Sequence, residues 1–234
     1  RHSFRGCQNN LTRDSRAPGR INSQNDRFNV VVSEGFIAMV WERTLFAHAN
    51  LFPLAFGLVP LLAGLAIRRA LVRLTACEAI GLKWPNDLVV GQRKAVGLLC
   101  ERLQRVDLIG VGINVNAGSG EAPAELRERI TSLRELTGNE WDLTVVVSEV
   151  SQSVNRVLSL ESENVAREML EEYSLHHWPT GKDIELVDTD RAARIAGRCE
   201  GLDPQGRLLL TTDQGVHALL TGSIVSVTAS VDAD

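Results

Sequence analysis

The segment Leu108-Ile109-Gly110-Val111-Gly112-Ile113-Asn114-Val115-Asn116 leaves this chain few choices of fold. Successive side chains of an extended strand point to opposite faces. Ile109, Val111, Ile113 and Val115 therefore share one face, and Gly110, Gly112, Asn114 and Asn116 share the other. A slip of one residue would exchange the two faces, so the register is strongly specified. The β-branched face calls for a covering layer of helices. Glycine in a strand costs stability and packs nothing, so a bare face ending in amides predicts the floor of a ligand pocket rather than a core. Gly110-x-Gly112 is not a dinucleotide fingerprint, because Val115 stands where the third glycine belongs and no helix follows.

Two further strands are expected upstream, Leu88–Val90 and Lys94–Arg102, joined by Gly91-Gln92-Arg93. With residues 107–116 they form an antiparallel meander. Just before them, Lys83-Trp84-Pro85-Asn86-Asp87 carries a proline that bars a regular helix and holds Trp84 extended. Lys83, Asn86 and Asp87 are then presented from a rigid turn: a cation, an amide and a carboxylate able to grip a polar ligand. A capped turn in which Asn86 and Asp87 bond their own backbone is the competing reading. Strict alternation puts Lys94, Val96 and Leu98 on one face of the next strand and Ala95, Gly97 and Leu99 on the other. A lysine facing an apolar cleft would hold a phosphate or carboxylate, whereas a lysine in solvent beside a turn is the commoner state.

Elsewhere, Asn29–Ser33 reads as a first buried strand, and residues 47–56 can hold a second. Pro60 suits a first helical turn, and Leu61, Leu62, Leu65, Ala66, Leu71 and Leu74 recur at helical spacing. Short helices are expected over 123–130, over 144–158 behind an Asp142 or Thr144 cap, and over 163–173. Trp178-Pro179-Thr180-Gly181 breaks the pattern, and five short strands follow with Asp203-Pro204-Gln205-Gly206 as a turn, which predicts a small closed β-barrel. The division expected is a poorly structured arm at 1–28, a larger α/β unit of α+β type at 29–178, and the barrel at 179–234.

With 44% hydrophobic and 23% charged residues and a net charge of -4, the chain has an ordinary globular composition and no basic surface for nucleic acid. The four cysteines, Cys7, Cys77, Cys100 and Cys199, are far apart and read as reduced thiols of a cytoplasmic protein. His176 and His177 lack ligand partners at metal spacing and suit a domain junction better than a metal site. The uncharged stretch Leu51–Ile67 is interrupted by Pro53, Gly57, Pro60 and Gly64, so a buried strand and helix are expected, not a membrane span. Arg1-His2-Ser3 and the scattered arginines after it do not resemble a secretory leader, and no helix-turn-helix pattern accompanies them, so no repressor activity is expected.

Three of these segments, in this order and spacing, resemble the central signature of the biotin-protein ligases: Lys83-Trp84-Pro85-Asn86-Asp87; Arg93-Lys94 with Gly97-Leu98-Leu99 and Glu101; and Gly110-Val111-Gly112-Ile113-Asn114. Thr131-Ser132-Leu133 and the terminal barrel are similar to that family as well, so the resemblance covers roughly residues 58 to 228. It implies a mixed sheet with helices, a biotin/lipoate ligase-like catalytic domain, and a C-terminal SH3-like β-barrel. It also implies a two-step reaction in which biotin and ATP give biotinyl-5'-adenylate, and a lysine of a biotin carboxyl carrier domain then takes the biotinyl group.

Carried over by motif, Lys94 would be the catalytic lysine and contact biotin, with Gly97, Leu98, Gly110 and Gly112 lining the biotin pocket. Lys83, Asn86, Asp87 and Asn114 would organise the nucleotide and a Mg2+ ion that arrives with ATP rather than in a protein cage. A monomer or weak homodimer is expected. The chain departs from the family upstream: Ser23-Gln24-Asn25-Asp26 is only weakly similar to the family's Ser-Thr-Asn segment. Residues 34–44, where a Gly-Arg-Gly-Arg-type loop belongs, keep a single arginine. A catalytically silent relative and a lipoate- or octanoate-transferring enzyme are the alternatives.

Overall fold

The structure, a computed structural model, describes residues 20–21, 28–33, 36–41, 57–103, 106–158, 163–188 and 193–228. Strands β1 (Arg20–Ile21), β2 (Phe28–Ser33), β3 (Phe36–Trp41), β4 (Ile80–Lys83), β5 (Asp87–Val90), β6 (Arg93–Leu103) and β7 (Val106–Ile113) form one antiparallel sheet in the order β1-β2-β3-β7-β6-β5-β4. The expected meander is β5-β6-β7. The first strand read from the sequence is β2, and Arg20–Ile21 of the arm pairs along it. The strand expected within 47–56 and the rest of the arm lie outside the described residues.

Helix α1 (Leu58–Thr75) lies against β4, β5 and β6. Leu61, Leu65, Ile67 and Leu71 are each 0% exposed on it, and full burial of such a side chain stabilises by about 1.5–3 kcal/mol. No helix among the described residues is long and apolar enough to cross a membrane. Arg68 is buried on the same helix because its guanidinium is used: Nε donates to the Ile80 carbonyl at 2.7 Å and Nη2 meets Glu78 at 3.1 Å. It thereby ties α1 to the start of β4. Helix α3 (Leu143–Leu158) packs behind α1, where the Ser153 hydroxyl donates to the Ala66 carbonyl at 2.8 Å. The Asp142 side chain accepts from the Thr144 amide at 2.7 Å at its start, as an N-cap should. Helix α4 (Glu163–Leu175) is joined to α1 through Arg69 and Glu172.

Two elements differ from expectation. Residues 123–130 form turns beside a 3-10 segment (Ser119–Glu121) instead of a helix. Their backbone is recruited elsewhere: the Lys94 amide donates to the Arg129 carbonyl, and Lys94 and Ile130 pair as a parallel bridge. The short helix α2 (Leu133–Thr137), capped by Ser132, follows instead. Strand β4 was hidden by its brevity and its glycine. Gly81 is there for space, since a Cβ at that position would lie 2.9 Å from Trp178 Cβ.

The second sheet holds β8 (Asp183–Asp188), β9 (Ala193–Leu202), β10 (Leu208–Thr212), β11 (Gly215–Leu219) and β12 (Ser223–Thr228) in the order β11-β10-β9-β8-β12. These are the five strands expected, in the antiparallel arrangement of a small SH3-like barrel. Their buried side chains, Ile184, Leu186, Leu208 and Leu210 among them, continue the core of the first sheet. Two polar links brace the junction. Trp84, 2% exposed, donates from its indole to the Gly206 carbonyl at 3.2 Å. His177 sits at the edge of β4: the Leu82 amide bonds the His176 carbonyl and the Trp178 amide bonds the Leu82 carbonyl, both at 2.8 Å. The paired histidines thus lie between α4 and β8, along the edge of β4.

His177 Nδ1 meets Thr180 Oγ1 at 2.8 Å, and Nε2 is buried without a partner among the described residues. Burial, with Lys182 nearby, pushes the imidazole down to about 3. A histidine held neutral in the fold contributes stability that is complete above its unfolded value near 6.5 and is lost as the pH falls from there toward 3. Acid titration of the wild type should therefore lose up to about 1.4 kcal/mol per pH unit across that window, and His177→Gln should show a shallower acid limb in urea unfolding. Trp84→Phe, which removes the bond to Gly206 and trims a buried indole to a phenyl, should cost at least about 1 kcal/mol in the same measurement.

Candidate functional site

Register places two kinds of residue in adjacent rows across the first sheet. Leu82, Leu88, Val96 and Ile113 are direct cross-strand partners on β4 to β7, and all are at most 1% exposed against the helices. The next row, Lys83, Asp87, Gly97 and Gly112, follows from the same pairings and must face the other way. Phe36 of β3 pairs with Gly112, and Ala38 pairs with Gly110, whose partner across β6 is Leu99. The glycine face predicted from alternation in β7 is therefore one patch with Gly97, carrying Lys83 and Asp87 at its edge.

Lys94 joins this patch by a route that simple alternation does not give. Leu88 pairs with Val96 but Val89 pairs with Lys94, so Ala95 is an extra residue, and both Ala95 and Val96 are buried. Such a bulge re-aims the side chains before it. The expectation that Lys94 shares a face with Val96 and Leu98 is corrected accordingly: its ammonium lies over Gly97, where a Cβ would come within 2.6 Å of Nζ. Asp87 Oδ1 receives that ammonium at 2.5 Å. The Lys94 backbone is held as well, its amide donating to the Arg129 carbonyl at 2.8 Å and its carbonyl accepting from the Thr131 amide at 2.9 Å.

Lys83 sits at the end of β4 among these charges. Burial holds its ammonium below the ordinary lysine value; Lys94 and Arg129 push the same way, against the attraction of Asp87. Three cations thus converge around one carboxylate, and this excess of positive charge suits an anionic ligand. Arg129 went unnoticed in the sequence because only the Lys94 bridge brings residue 129 to the site.

The two asparagines brace the patch. Asn86 Nδ2 donates to the Leu98 carbonyl at 2.6 Å and the Leu98 amide returns a bond to the Asn86 carbonyl at 2.8 Å, so this side chain braces the turn against β6 rather than capping its own turn. Asn114 donates through Nδ2 to the Lys94 carbonyl at 3.3 Å, and its amide bonds the Ala95 carbonyl at 3.0 Å across the bulge. Leu98 itself turns into the core, 4% exposed, so its side chain lies on the opposite face from Gly97. Leu99, 49% exposed, is the leucine on the glycine face; period-two alternation from Gly97 points to it.

Beyond Leu99 a mostly apolar cavity of about 740 Å3 opens, lined by Pro60 at the start of α1, Pro85 and Asn86 of the turn, and Arg207 and Leu220 from the second sheet. That volume suits a small molecule. Cys100 borders it, and burial, with Asp107 adding to it, pushes this thiol up to about 12, so it is no nucleophile at neutral pH. Cys77, Cys100 and Cys199 are free thiols. Of the segment where the glycine-arginine loop was sought, residues 36–41 form strand β3 between β2 and β7.

Comparison with known proteins agrees with this geometry. The family model described as biotin/lipoate A/B protein ligase matches residues 52–117, which include the turn, the glycine face and one side of the cavity. The bifunctional ligase/repressor BirA of Bacillus subtilis is 27% identical over 172 residues, covering 70% of this chain and 51% of that protein. The biotin–[acetyl-CoA-carboxylase] ligase of Mycobacterium tuberculosis is 28% identical over 173 residues, covering 73% of this chain and 63% of that protein. The chain thus spans about half to three fifths of the length of these relatives. Among solved structures, the biotin protein ligase of Aquifex aeolicus superposes with a TM-score of 0.70 at 29% identity, covering 84% of this chain and 83% of that one. The same protein in complex with biotin and ATP gives 0.69 at 28% identity, covering 84% and 79%. Motifs, fold and relatives point the same way: in its central motifs and in its fold the chain is similar to the biotin-protein ligases.

Proposed function

We propose that this chain is an ATP-dependent ligase that activates biotin as biotinyl-5'-adenylate and transfers the biotinyl group to a lysine of a biotin carboxyl carrier domain. The observation that carries this reading is the ammonium of Lys94, laid over the glycine face and paired with Asp87 beside an apolar cavity. In the first step a biotin carboxylate oxygen attacks the α-phosphorus of ATP and pyrophosphate leaves. In the second a carrier lysine amine attacks the acyl carbon, loses a proton and releases AMP. Negative charge builds on oxygen in both steps, and preorganised cations stabilise it. Lys94 meets the biotin carboxylate and the acyl-phosphate oxygens, and Lys83 approaches the nucleotide phosphates. Gly97, Gly110 and Gly112 let biotin lie against backbone, with the Leu99 side chain and the Leu98 backbone beside it.

Asn86 and Asn114 act by holding the turn and the bulge in place as well as by reaching the nucleotide. Asp87 is the carboxylate of the glycine-face row and is already paired with Lys94; a Mg2+ ion would come with the triphosphate, where it would neutralise phosphate charge. Residues 29–178 then serve as the catalytic unit and 179–234 as a second unit that walls the cavity through Arg207 and Leu220. A cytoplasmic setting and a monomer or weak homodimer fit this reading. One observation favours the silent-relative alternative: residues 36–41, in the segment where an arginine-bearing loop was sought, are taken up by strand β3. Transfer of lipoyl or octanoyl groups is less favoured, since the relatives named above are ligases of biotin.

Incubation with labelled biotin, ATP and a carboxylase carrier domain should label the carrier and release pyrophosphate, and Lys94→Ala should lower the rate about a hundredfold to a thousandfold. A wild-type chain that binds biotin by calorimetry yet forms no pyrophosphate would establish the silent relative instead. Gly97→Ala should leave the urea midpoint near wild type but force the Lys94 ammonium off the face, weakening biotin binding at least about tenfold; unchanged affinity would remove Gly97 from the site.

A further inference from the structure

Glu135, in the first turn of α2, gathers three separate pieces of chain. Its carboxylate accepts from the Ser119 amide at 2.5 Å and from the Thr131 hydroxyl at 3.2 Å, and it pairs with the Arg93 guanidinium. Its own amide donates to Ser132 Oγ at 3.2 Å. Arg93 adds a second tie, Nε donating to the Ile130 carbonyl at 2.8 Å. The hydrogen bonds from Ser119, with those of Thr131 and Arg93, pull the Glu135 carboxyl down to about 2 despite its surface position, so it is ionised at every working pH.

Lys94 lies directly between these anchors. It follows Arg93, and both of its own backbone groups are bonded to the 129–131 segment that Arg93, Thr131 and Glu135 hold. Asn114, whose amide group reaches the Lys94 carbonyl, is tied to the same segment through the Leu133 amide, which donates to the Asn114 carbonyl at 3.0 Å. The ladder to β5 cannot aim Lys94 alone, because the register shifts at the next residue. A bulge leaves its ladder locally disrupted, and an ammonium on a long flexible stem beside it needs a fixed backbone if it is to stay over Gly97.

We propose that Glu135 is a positioning residue for Lys94: by clamping Arg93, Ser119 and Thr131 it fixes the bonds on either side of Lys94 and so directs that ammonium onto the glycine face. It touches no substrate itself. The inference rests on the reading of Lys94 as the group that meets the ligand, and its test has one arm independent of that reading.

Glu135→Ala and Glu135→Gln would be compared with Glu140→Gln, which removes the nearby surface pair of Glu140 with Arg134 and should change nothing measurable, as such pairs contribute little. In Glu135→Ala the Lys94 and Thr131 amides should exchange with deuterium at least about tenfold faster while the α1 amides keep their protection. The kcat of biotin-dependent pyrophosphate release should fall about tenfold to a hundredfold, the cost of a small misplacement, with an unchanged urea midpoint for the core. Glu135→Gln, which still accepts from Ser119 but has lost the charge for Arg93, should fall between. Unaltered exchange at Lys94, or a kcat loss matched by loss of folded protein, overturns the proposal. If the wild type releases no pyrophosphate, the ligase reading fails while the exchange arm still decides whether Glu135 holds Lys94. Should Glu135→Ala not fold, Glu135→Gln carries both measurements.

Discussion

Everything at the site depends on the register between neighbouring rows of the first sheet. Leu82, Leu88, Val96 and Ile113 have one place to go, under α1 and out of water, and burying them locks β4 to β7 against each other. Because side chains alternate, Lys83, Asp87, Gly97 and Gly112 are then delivered to the opposite face, where the pairing of Asp87 with Lys94 adds to a placement the register has already made. The apolar face supplies the energy and the glycine face receives the geometry. A slip that gained nothing for the site would bury a lysine and an aspartate, and that cost keeps the register unique.

The bulge at Ala95 is the one place where this logic is deliberately broken. It lets two consecutive residues, Ala95 and Val96, enter the core and sends Lys94 onto the face that alternation denies it. The disruption is then repaired from outside the sheet. Residues 129–134 run alongside, bonding Lys94, Asn114 and Val115, and the Glu135 carboxylate gathers the loose ends. Stability is spent on a local irregularity where a side chain must point in a functional direction, a common use of bulges near binding sites.

The second sheet matters to the site through contact rather than chemistry. Its turn at Asp203–Gly206 accepts the Trp84 indole, and Asp203 itself is saturated by the amides of Gln205 and Arg207 and by the Arg207 guanidinium. The segment before it runs along β4 through His176 and Trp178. The turn that carries Asn86 and Asp87 is thus packed from both sides, and a rigid turn holds its carboxylate in place without reorganisation when charge develops.

Much of this could be read from residues alone. The β5-β6-β7 meander, α1, α3, α4 and all five strands of the second sheet follow from apolar periodicity and from proline and glycine punctuation. The glycine face of β7 follows from alternation, and the grouping of Lys83, Asp87 and Lys94 from motif spacing. These features are local, and local sequence specifies them. What the sequence could not show is non-local. The bulge depends on Ala95 being small enough to enter a core formed by other strands. The loss of helix over 123–130 depends on a competing partner, Lys94, far away in the chain, and the same partnership brings Arg129 to the site. Leu98, expected from the motif to line the pocket, turns into the core, while Leu99 keeps the glycine face that alternation from Gly97 gives it; the motif that contains both does not say which side chain faces outward. Side-chain periodicity is a property of one strand; which face meets a ligand is settled only when neighbouring strands, their register and the layer above have been assembled.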